Sequence, residues 1–392
     1  MGNCCPKGDA HSEKSSIANI LNEEVEQTKL KATQPMQSSQ NLVTSSNALT
    51  VPKSKGQINR EDFVKIDKLG YGAFGIVYKV REKTTNKIYA MKQIEKEKIF
   101  KNKLQNNTVL ERNVLKQSKH PFIVRLKYAF QTNSHIYFVM EYIAGGEFYK
   151  ILSQVKTGLP ENVVKFVAAE VVLALEYLNT KLKVIYRDLK PENLLLTTTG
   201  HVKLTDFGLA TMRRENGEKS YTVAGTAEYL APEIVNKSGH SYEVDIWTLG
   251  ILIYEMINGF TPFRDSNNDF KVISQKIIEN QPIYPEKMSP QSVDLIKQIL
   301  QTNPTERLGV KGDGYAELKR HSFFNGIIWD QMSNLKVTSP LKTFAERNTQ
   351  KMNLISKQPQ NFQNTPCNPQ SPKLKIDGIT FDGEGGTLSS HF

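Results

Sequence analysis

From Phe63 onward, apolar residues arrive in short runs separated by turn-forming or charged residues: Phe63–Leu69, Ile76–Arg81, Ile88–Ile94, Val124–Phe130 and Ile136–Glu141. Runs of this length, rich in β-branched and aromatic side chains, predict strands. One stretch among them, Leu104–Gln117, carries its apolar residues at helical spacing. After Gly145-Gly146 the period lengthens, and Glu161–Asn179, Tyr242–Asn258 and Gln291–Gln301 read as helices. The pattern predicts an α+β, bilobal molecule: a small, mainly antiparallel β lobe holding one important helix, then a larger, mainly helical lobe. The most apolar helices, Val163–Leu178 and Ile246–Ile257, are interrupted by charge or too short to span a bilayer.

The two ends lack that pattern. Residues 1–60 are rich in Ser, Thr, Asn, Gln and Lys and read as disordered. Within them Ile17, Ile20, Leu21 and Val25 recur at helical spacing, which suggests a transient helix able to dock on the core. The block Thr349–Pro372, full of Gln, Asn and Pro, reads as a flexible tail. The division is therefore 1–60, a core over 63–324, and a partly disordered tail over 325–392.

Charge and cysteine usage narrow the partners. The formal charge of +11 over 392 residues invites a polyanion, yet no basic block is interleaved with aromatics, so nucleic acid is not expected. Nucleotide phosphates and acidic lipid headgroups fit better. With three cysteines, two of them adjacent at Cys4 and Cys5, no disulfide framework is expected. No secretory apolar segment follows Met1, so the chain reads as cytoplasmic. Met1-Gly2-Asn3-Cys4-Cys5 exposes Gly2 beside two thiols, the arrangement for myristoylation plus palmitoylation and a peripheral membrane location. Pro6 stands where that signal usually has Ser or Thr. A single acyl chain binds membranes only marginally, so two would be needed for a durable anchor.

The chemistry concentrates in Val184–Asn193, V-I-Y-R-D-L-K-P-E-N, which sets a carboxylate, an ammonium and an amide (Asp188, Lys190, Asn193) within six positions. Upstream, Gly70-x-Gly72-x-x-Gly75-x-Val77 lies between two predicted strands, where glycines let backbone N–H groups approach phosphates. Because Ile76–Val80 continues as strand, this is not the helix-opening dinucleotide fingerprint. Tyr89-Ala90-Met91-Lys92 occupies the next strand, Glu111 lies in the following helix, and Thr205-Asp206-Phe207-Gly208 follows the catalytic-type loop.

In this order and at these spacings, the motifs resemble an AGC-group serine/threonine protein kinase, with a catalytic domain like that of the cyclic-nucleotide-dependent kinases. The resemblance covers roughly Phe63 to Trp329. It implies ATP and Mg2+ as cofactors. It gives Lys92 and Glu111 as a phosphate-positioning pair, Asp188 as the group that orients the substrate hydroxyl, Lys190 as a contact to the transferring phosphoryl group, and Asn193 and Asp206 as metal ligands. The nucleotide would lie among Leu69, Gly70, Tyr71, Gly72, Ala73, Phe74, Gly75, Ile76, Val77, Ala90, Met140, Glu141, Ile143, Leu195 and Thr205. Glu147, Glu192 and Glu255 match positions that bind arginine upstream of the acceptor Ser or Thr. Thr222 matches the activation-segment phosphosite, a target for an upstream kinase, with Arg187 as its partner. Glu233 should pair with Arg307, and Asp245 should hold the catalytic-loop backbone.

There are departures from the family pattern. Asn107 and Thr211 stand where basic partners of the phosphosite are usual, with Arg213 or Arg214 as substitutes, and Ala227 replaces a common proline. Beyond Trp329, Phe381-Asp382 is present, but no aromatic hydrophobic motif is evident; Phe392 is the candidate for a small-lobe pocket. The core is expected to be monomeric. The alternative from another class is a catalytically inactive kinase-fold scaffold at a membrane.

Overall fold

The computed structural model describes residues 58–72, 75–214, 217–355 and 375–383. Gly2, Cys4, Cys5, the segment around Ile17–Val25 and Phe392 lie outside the described residues. The small lobe is a five-stranded antiparallel sheet of β1 (Phe63–Gly72), β2 (Gly75–Glu82), β3 (Ile88–Glu95), β4 (Leu126–Gln131) and β5 (His135–Glu141), in the order β1-β2-β3-β5-β4. One face buries Phe63, Tyr89, Phe130 and Tyr137 around Val80 and Met91, with Phe63 and Phe130 stacked at 6.0 Å. The other face meets α2 (Gln105–Gln117), which follows a short α1 (Lys96–Lys101). The Lys- and Glu-rich α1 has no apolar period of its own and is anchored through buried Ile99.

The strand expected from Val124 begins only at Leu126. Residues 122–124 bond instead to the large lobe, with Val124 N donating to Leu204 O at 2.9 Å and Leu204 N to Phe122 O at 2.8 Å. That crossing stitches the lobes together just ahead of Asp206.

The large lobe is built around α4 (Glu161–Thr180) and α6 (Glu243–Asn258), both apolar on nearly all sides and therefore central. Between α2 and α6 lie α3 (Phe148–Leu152) and α5 (Pro232–Val235), and after α6 come α7 (Phe270–Glu279), α8 (Pro290–Ile299), α9 (Tyr315–Arg320) and α10 (Trp329–Ser333). Helix α6 ends at Gly259, whose φ of 80° and 2.6 Å approach to Lys156 O admit no side chain. Helix α8 is capped by Ser289, which accepts from Ser292 N at 3.1 Å, and starts with Pro290 at its first turn. A two-stranded ribbon, β7 (Leu194–Leu196) with β8 (Val202–Leu204), and a second, β6 (Val184–Ile185) with β9 (Thr211–Met212), frame the loops that carry the chemistry.

One reading of the tail is corrected in part. Residues 349–355 close α11, which runs over Lys342–Ile355; the rest of the block to Pro372 lies outside the described residues. The helix's polar sequence is held by buried Ala345 and by Asn348 Nδ2, which donates to Gly145 O at 3.3 Å. Residues 375–383 dock on the small lobe with Ile376 and Ile379 buried, and Phe381 N bonds Ala129 O at 2.6 Å, answered by Ala129 N to Phe381 O at 2.8 Å. The residues that bury this segment are aliphatic, Ile376 and Ile379, and not aromatic.

Candidate active site

Strand β3 pairs Lys92 with Phe138 of β5 and Val77 of β2, so the ammonium projects into the cleft between the lobes. Helix α2 brings Glu111 to it, and Lys92 Nζ contacts Glu111 Oε1 at 2.6 Å and Asp206 Oδ1 at 2.9 Å. Lys92 and Glu111 are almost fully buried. Burial works against the lysine's charge, but Asp206 and Glu111 outweigh it and hold the ammonium above its ordinary pKa. Glu111 is raised, by burial first and by the nearby Asp206 charge, against the pull of Lys92. Asp206 is lowered: burial opposes its charge, and Lys92 together with the Gly208 N–H prevails.

Asp188 sits in the loop after β6 and is gripped from several sides. Asn193 Nδ2 donates to its Oδ2 and to its backbone carbonyl, both at 2.7 Å, and Lys190 Nζ contacts its Oδ1 at 3.0 Å. Burial raises its pKa, offset in part by Lys190 and Asn193. Lys190 also donates to Thr226 Oγ1 at 2.9 Å, tying the loop to the activation segment. The loop's unusual backbone, with Arg187 at φ 65°, is fixed by Asp245, whose carboxylate accepts from Tyr186 N and Arg187 N at 2.8 Å each. Burial pushes Asp245 up to about 6. Elsewhere in the large lobe, Arg307 grips Glu233 in two bonds of 2.7 Å with both groups buried.

The β7–β8 ribbon brings Asn193 and Asp206 to one end, with Thr205 N donating to Asn193 O at 3.0 Å. Because the Asn193 amide nitrogen is engaged by Asp188, its oxygen is left for a cation, beside the carboxylate of Asp206. Two oxygen donors of this kind suit Mg2+, which keeps waters and takes phosphate oxygens for the rest. Around the cleft, Ala90 lies opposite Met140 and Tyr89 opposite Glu141, while Leu195 of β7 bridges to Glu147. Leu69 and Gly70 run along β1, and Tyr71 and Gly72 lead to the turn into Gly75, Ile76 and Val77. Ala73 and Phe74 lie outside the described residues. A Cβ on Gly75 would sit 2.0 Å from Gln93 O, so this glycine admits strand β3, whereas Gly70 faces open space.

A family model, protein kinase domain, matches residues 63–324, the span of both lobes. The chain belongs to the protein kinase family. A probable serine/threonine-protein kinase of Dictyostelium discoideum is 36% identical over 359 residues, covering 90% of this chain and 77% of the relative. A RAC family serine/threonine-protein kinase homolog from the same organism is 40% identical over 294 residues, 74% of this chain and 64% of the relative. Ribosomal protein S6 kinase 2 alpha of Xenopus laevis is 39% identical over 295 residues, 74% of this chain but 40% of the relative. These relatives place the kinase among the serine/threonine kinases of the AGC type.

The kinase's acidic residues below the cleft form one electrostatic neighbourhood. Glu192 is raised by burial and by the charges of Asp188 and Glu147. Glu255 is pushed up to about 7 by burial and by Glu192 and Glu228, and it accepts a hydrogen bond from the Tyr229 hydroxyl. Glu228, in the sequence where Ala227 replaces a common proline, was not foreseen. Its signal is purely spatial. Thr222 is exposed on the activation segment. Of the substitutes considered for its basic partners, Arg213 stacks over Tyr242 at 4.8 Å. A second contact escaped the sequence: Glu141 Oε1 accepts from Lys203 Nζ at 2.7 Å and from Arg125 N at 2.9 Å, fastening the interlobe connection to β8.

Proposed function

We propose that this kinase transfers the γ-phosphate of Mg-ATP to Ser or Thr hydroxyls in proteins that carry arginine upstream of the acceptor. The observation that carries the catalytic part is the position of Lys92, bonded at once to Glu111 and Asp206. That arrangement joins sheet, helix α2 and metal-binding loop in a working geometry. Asp188 orients the acceptor hydroxyl toward the phosphorus, and Lys190 offsets charge on the transferring group. Asn193 and Asp206 would hold the metal, which neutralises phosphate charge. The adenine would lie among Leu69, Val77, Ala90, Met140, Ile143 and Leu195. Since Glu141 N already donates to Arg125 O at 3.1 Å, a base would meet its carbonyl.

Support for the arginine preference comes from Glu147, Glu192 and Glu255, carboxylates whose mutual repulsion a bidentate guanidinium would relieve. Phosphorylation of Thr222 by an upstream kinase would order the activation segment through Arg187. Gly2 with Cys4 and Cys5 beside it supports a lipid anchor on sequence grounds alone. The test is phosphate transfer from Mg-ATP to an Arg-Arg-x-Ser peptide by the full chain, with Asp188→Asn and Glu147→Ala in parallel. Loss of transfer in the first variant and a raised peptide KM in the second are expected. Transfer that survives Asp188→Asn would refute the catalytic assignment. An unchanged KM in Glu147→Ala would refute the groove.

A further inference from the structure

Helix α3 opens at Glu147, its N-cap residue, whose backbone is extended at φ −80° and ψ 133°. A carboxylate in that position ordinarily accepts from a backbone N–H of the first turn, but the Glu147 side chain makes no such bond. Its backbone is held by a bridge to Leu195 of β7, three positions after Glu192. Glu192, raised first by burial, also feels the charges of Asp188 and Glu147. The Glu147 carboxylate is thus free of its own helix and belongs electrostatically to the acidic groove.

A cation of the same helix reaches that carboxylate. Lys150 lies one turn along α3, and its Nζ stands 3.4 Å from Glu147 Oε2. The turn between them is closed by Lys150 N, which donates to Glu147 O at 3.2 Å. The ion pair is loose: it is longer than the roughly 2.7–2.9 Å of a charge-assisted hydrogen bond. Both side chains are also open to water, 58% exposed for Lys150 and 38% for Glu147. Such a pair adds little to stability. Its effect is on what else can bind. A substrate guanidinium that takes both Glu147 oxygens must first displace the ammonium, and it meets the ammonium's repulsion on approach.

We propose that Lys150 is a specificity-determining residue, an internal cation that occupies Glu147 and competes for it with the upstream arginine of the substrate. The inference rests on the arginine groove put forward above and adds to it a residue that weakens it. A peptide that brings a guanidinium to Glu147 gains a bidentate pair less the Lys150 contact it breaks. A peptide without arginine gains and loses nothing there. Lys150 therefore narrows the margin by which an arginine substrate is preferred.

The experiment measures kcat/KM of the full chain for Arg-Arg-x-Ser and Ala-Ala-x-Ser peptides and takes their ratio. Wild type is compared with Lys150→Met, Lys150→Arg, Glu147→Ala and the double variant Lys150→Met with Glu147→Ala. Lys150→Met should raise the ratio about two- to fivefold, the range an exposed ion pair supports, chiefly by lowering the KM of the arginine peptide. Lys150→Arg, whose guanidinium can hold both oxygens of Glu147, should lower the ratio. In the Glu147→Ala background Lys150→Met should have no effect, because the group competed for is gone. A misfolded variant loses rate on both peptides and so does not mimic a raised ratio. A ratio unmoved by Lys150→Met, in a kinase where Glu147→Ala lowers it, would overturn the role of Lys150 and leave the groove standing. A rise of equal size with and without Glu147 would reveal a general charge effect and overturn it as well. If Glu147→Ala leaves the ratio unchanged, the groove itself falls, and the competition with it.

Discussion

Truncating Ile379 to alanine should release the docked tail and slow the kinase without unfolding it. Ile379 is fully buried, and its segment adds only nine described residues to the small lobe. An isoleucine-to-alanine change in such a place costs roughly 2–4 kcal/mol. Here that loss bears on a local docking equilibrium, not on the global fold. It corresponds to a shift of about 30- to 700-fold toward the undocked tail. The link to catalysis is Arg112, next to Glu111 on α2, whose Nη2 and Nε donate to Thr380 O at 3.0 Å and Ile379 O at 3.3 Å. Releasing those carbonyls loosens the helix that presents Glu111 to Lys92. Hydrogen exchange should quicken in β4 and α2, and kcat should fall several-fold with little change in peptide KM. Asp377→Ala, at an exposed site of the same segment, should change neither. Unaltered exchange in α2 for Ile379→Ala would refute the coupling of tail to helix.

The buried Arg307–Glu233 pair should be intolerant of losing one partner: Glu233→Gln is expected to cost about 3–5 kcal/mol in denaturant melts, because Arg307 would keep a buried charge. Asp245 has a folded-state pKa raised to about 6, so its contribution to stability is fully present below its unfolded pKa and is lost as pH rises through 6. The stability gap between wild type and Asp245→Asn should therefore narrow between pH 4 and pH 7, as measured by thermal denaturation. Gly259→Val should destabilise by more than about 1 kcal/mol, because it combines a left-handed backbone with a Cβ position 2.6 Å from Lys156 O; a neutral result would show that the α6 terminus can rearrange. Lys203→Met should raise the KM for ATP with little effect on peptide KM, because it frees Glu141 from β8; equal changes in both would refute a hinge-specific role.

What the sequence made legible was local or motif-borne. The short β-rich runs marked all five strands of the small lobe, and the family resemblance assigned Lys92, Glu111, Asp188 and Asp206 to one site, where Lys92 does meet Glu111 and Asp206. The pairs Glu233–Arg307 and Asp245 with the loop backbone are also formed. The features not foreseen depend on pairing across long separations. Residues 122–124 have strand-like composition but bond to β8, which lies some eighty positions away. Asn- and Gln-rich residues from Thr349 are poor evidence for a helix, yet contacts to Ala144 and Gly145 hold them in one. Ile376 and Ile379 carry no aromatic signature, and only the exposed edge of β4 gives Phe381 a strand to join. Ser220–His240, likewise, is a bridge between two loops that no periodicity marks.

The donor and acceptor positions in the cleft also bear on the order of events. An ammonium has three protons, and Lys92 directs two of them to Glu111 and Asp206, which leaves one for a phosphate oxygen. Asp206 takes Lys92 and the Gly208 N–H on the same oxygen, Oδ1, so Oδ2 is the atom that would serve a cation. Asn193 gives its nitrogen to Asp188 and keeps its oxygen. Nucleotide and metal can therefore enter without breaking any of these bonds, and the charge they bring is balanced by groups already in place. Preorganisation of this kind lowers the barrier because the protein does not reorganise as charge develops. On the function proposed above, phosphorylation of the segment would reach the cleft from the acceptor side, through Thr226 and its contacts to Lys190 and Asp188. Phosphorylation of Thr222 should then change peptide KM and kcat far more than the affinity for Mg-ATP.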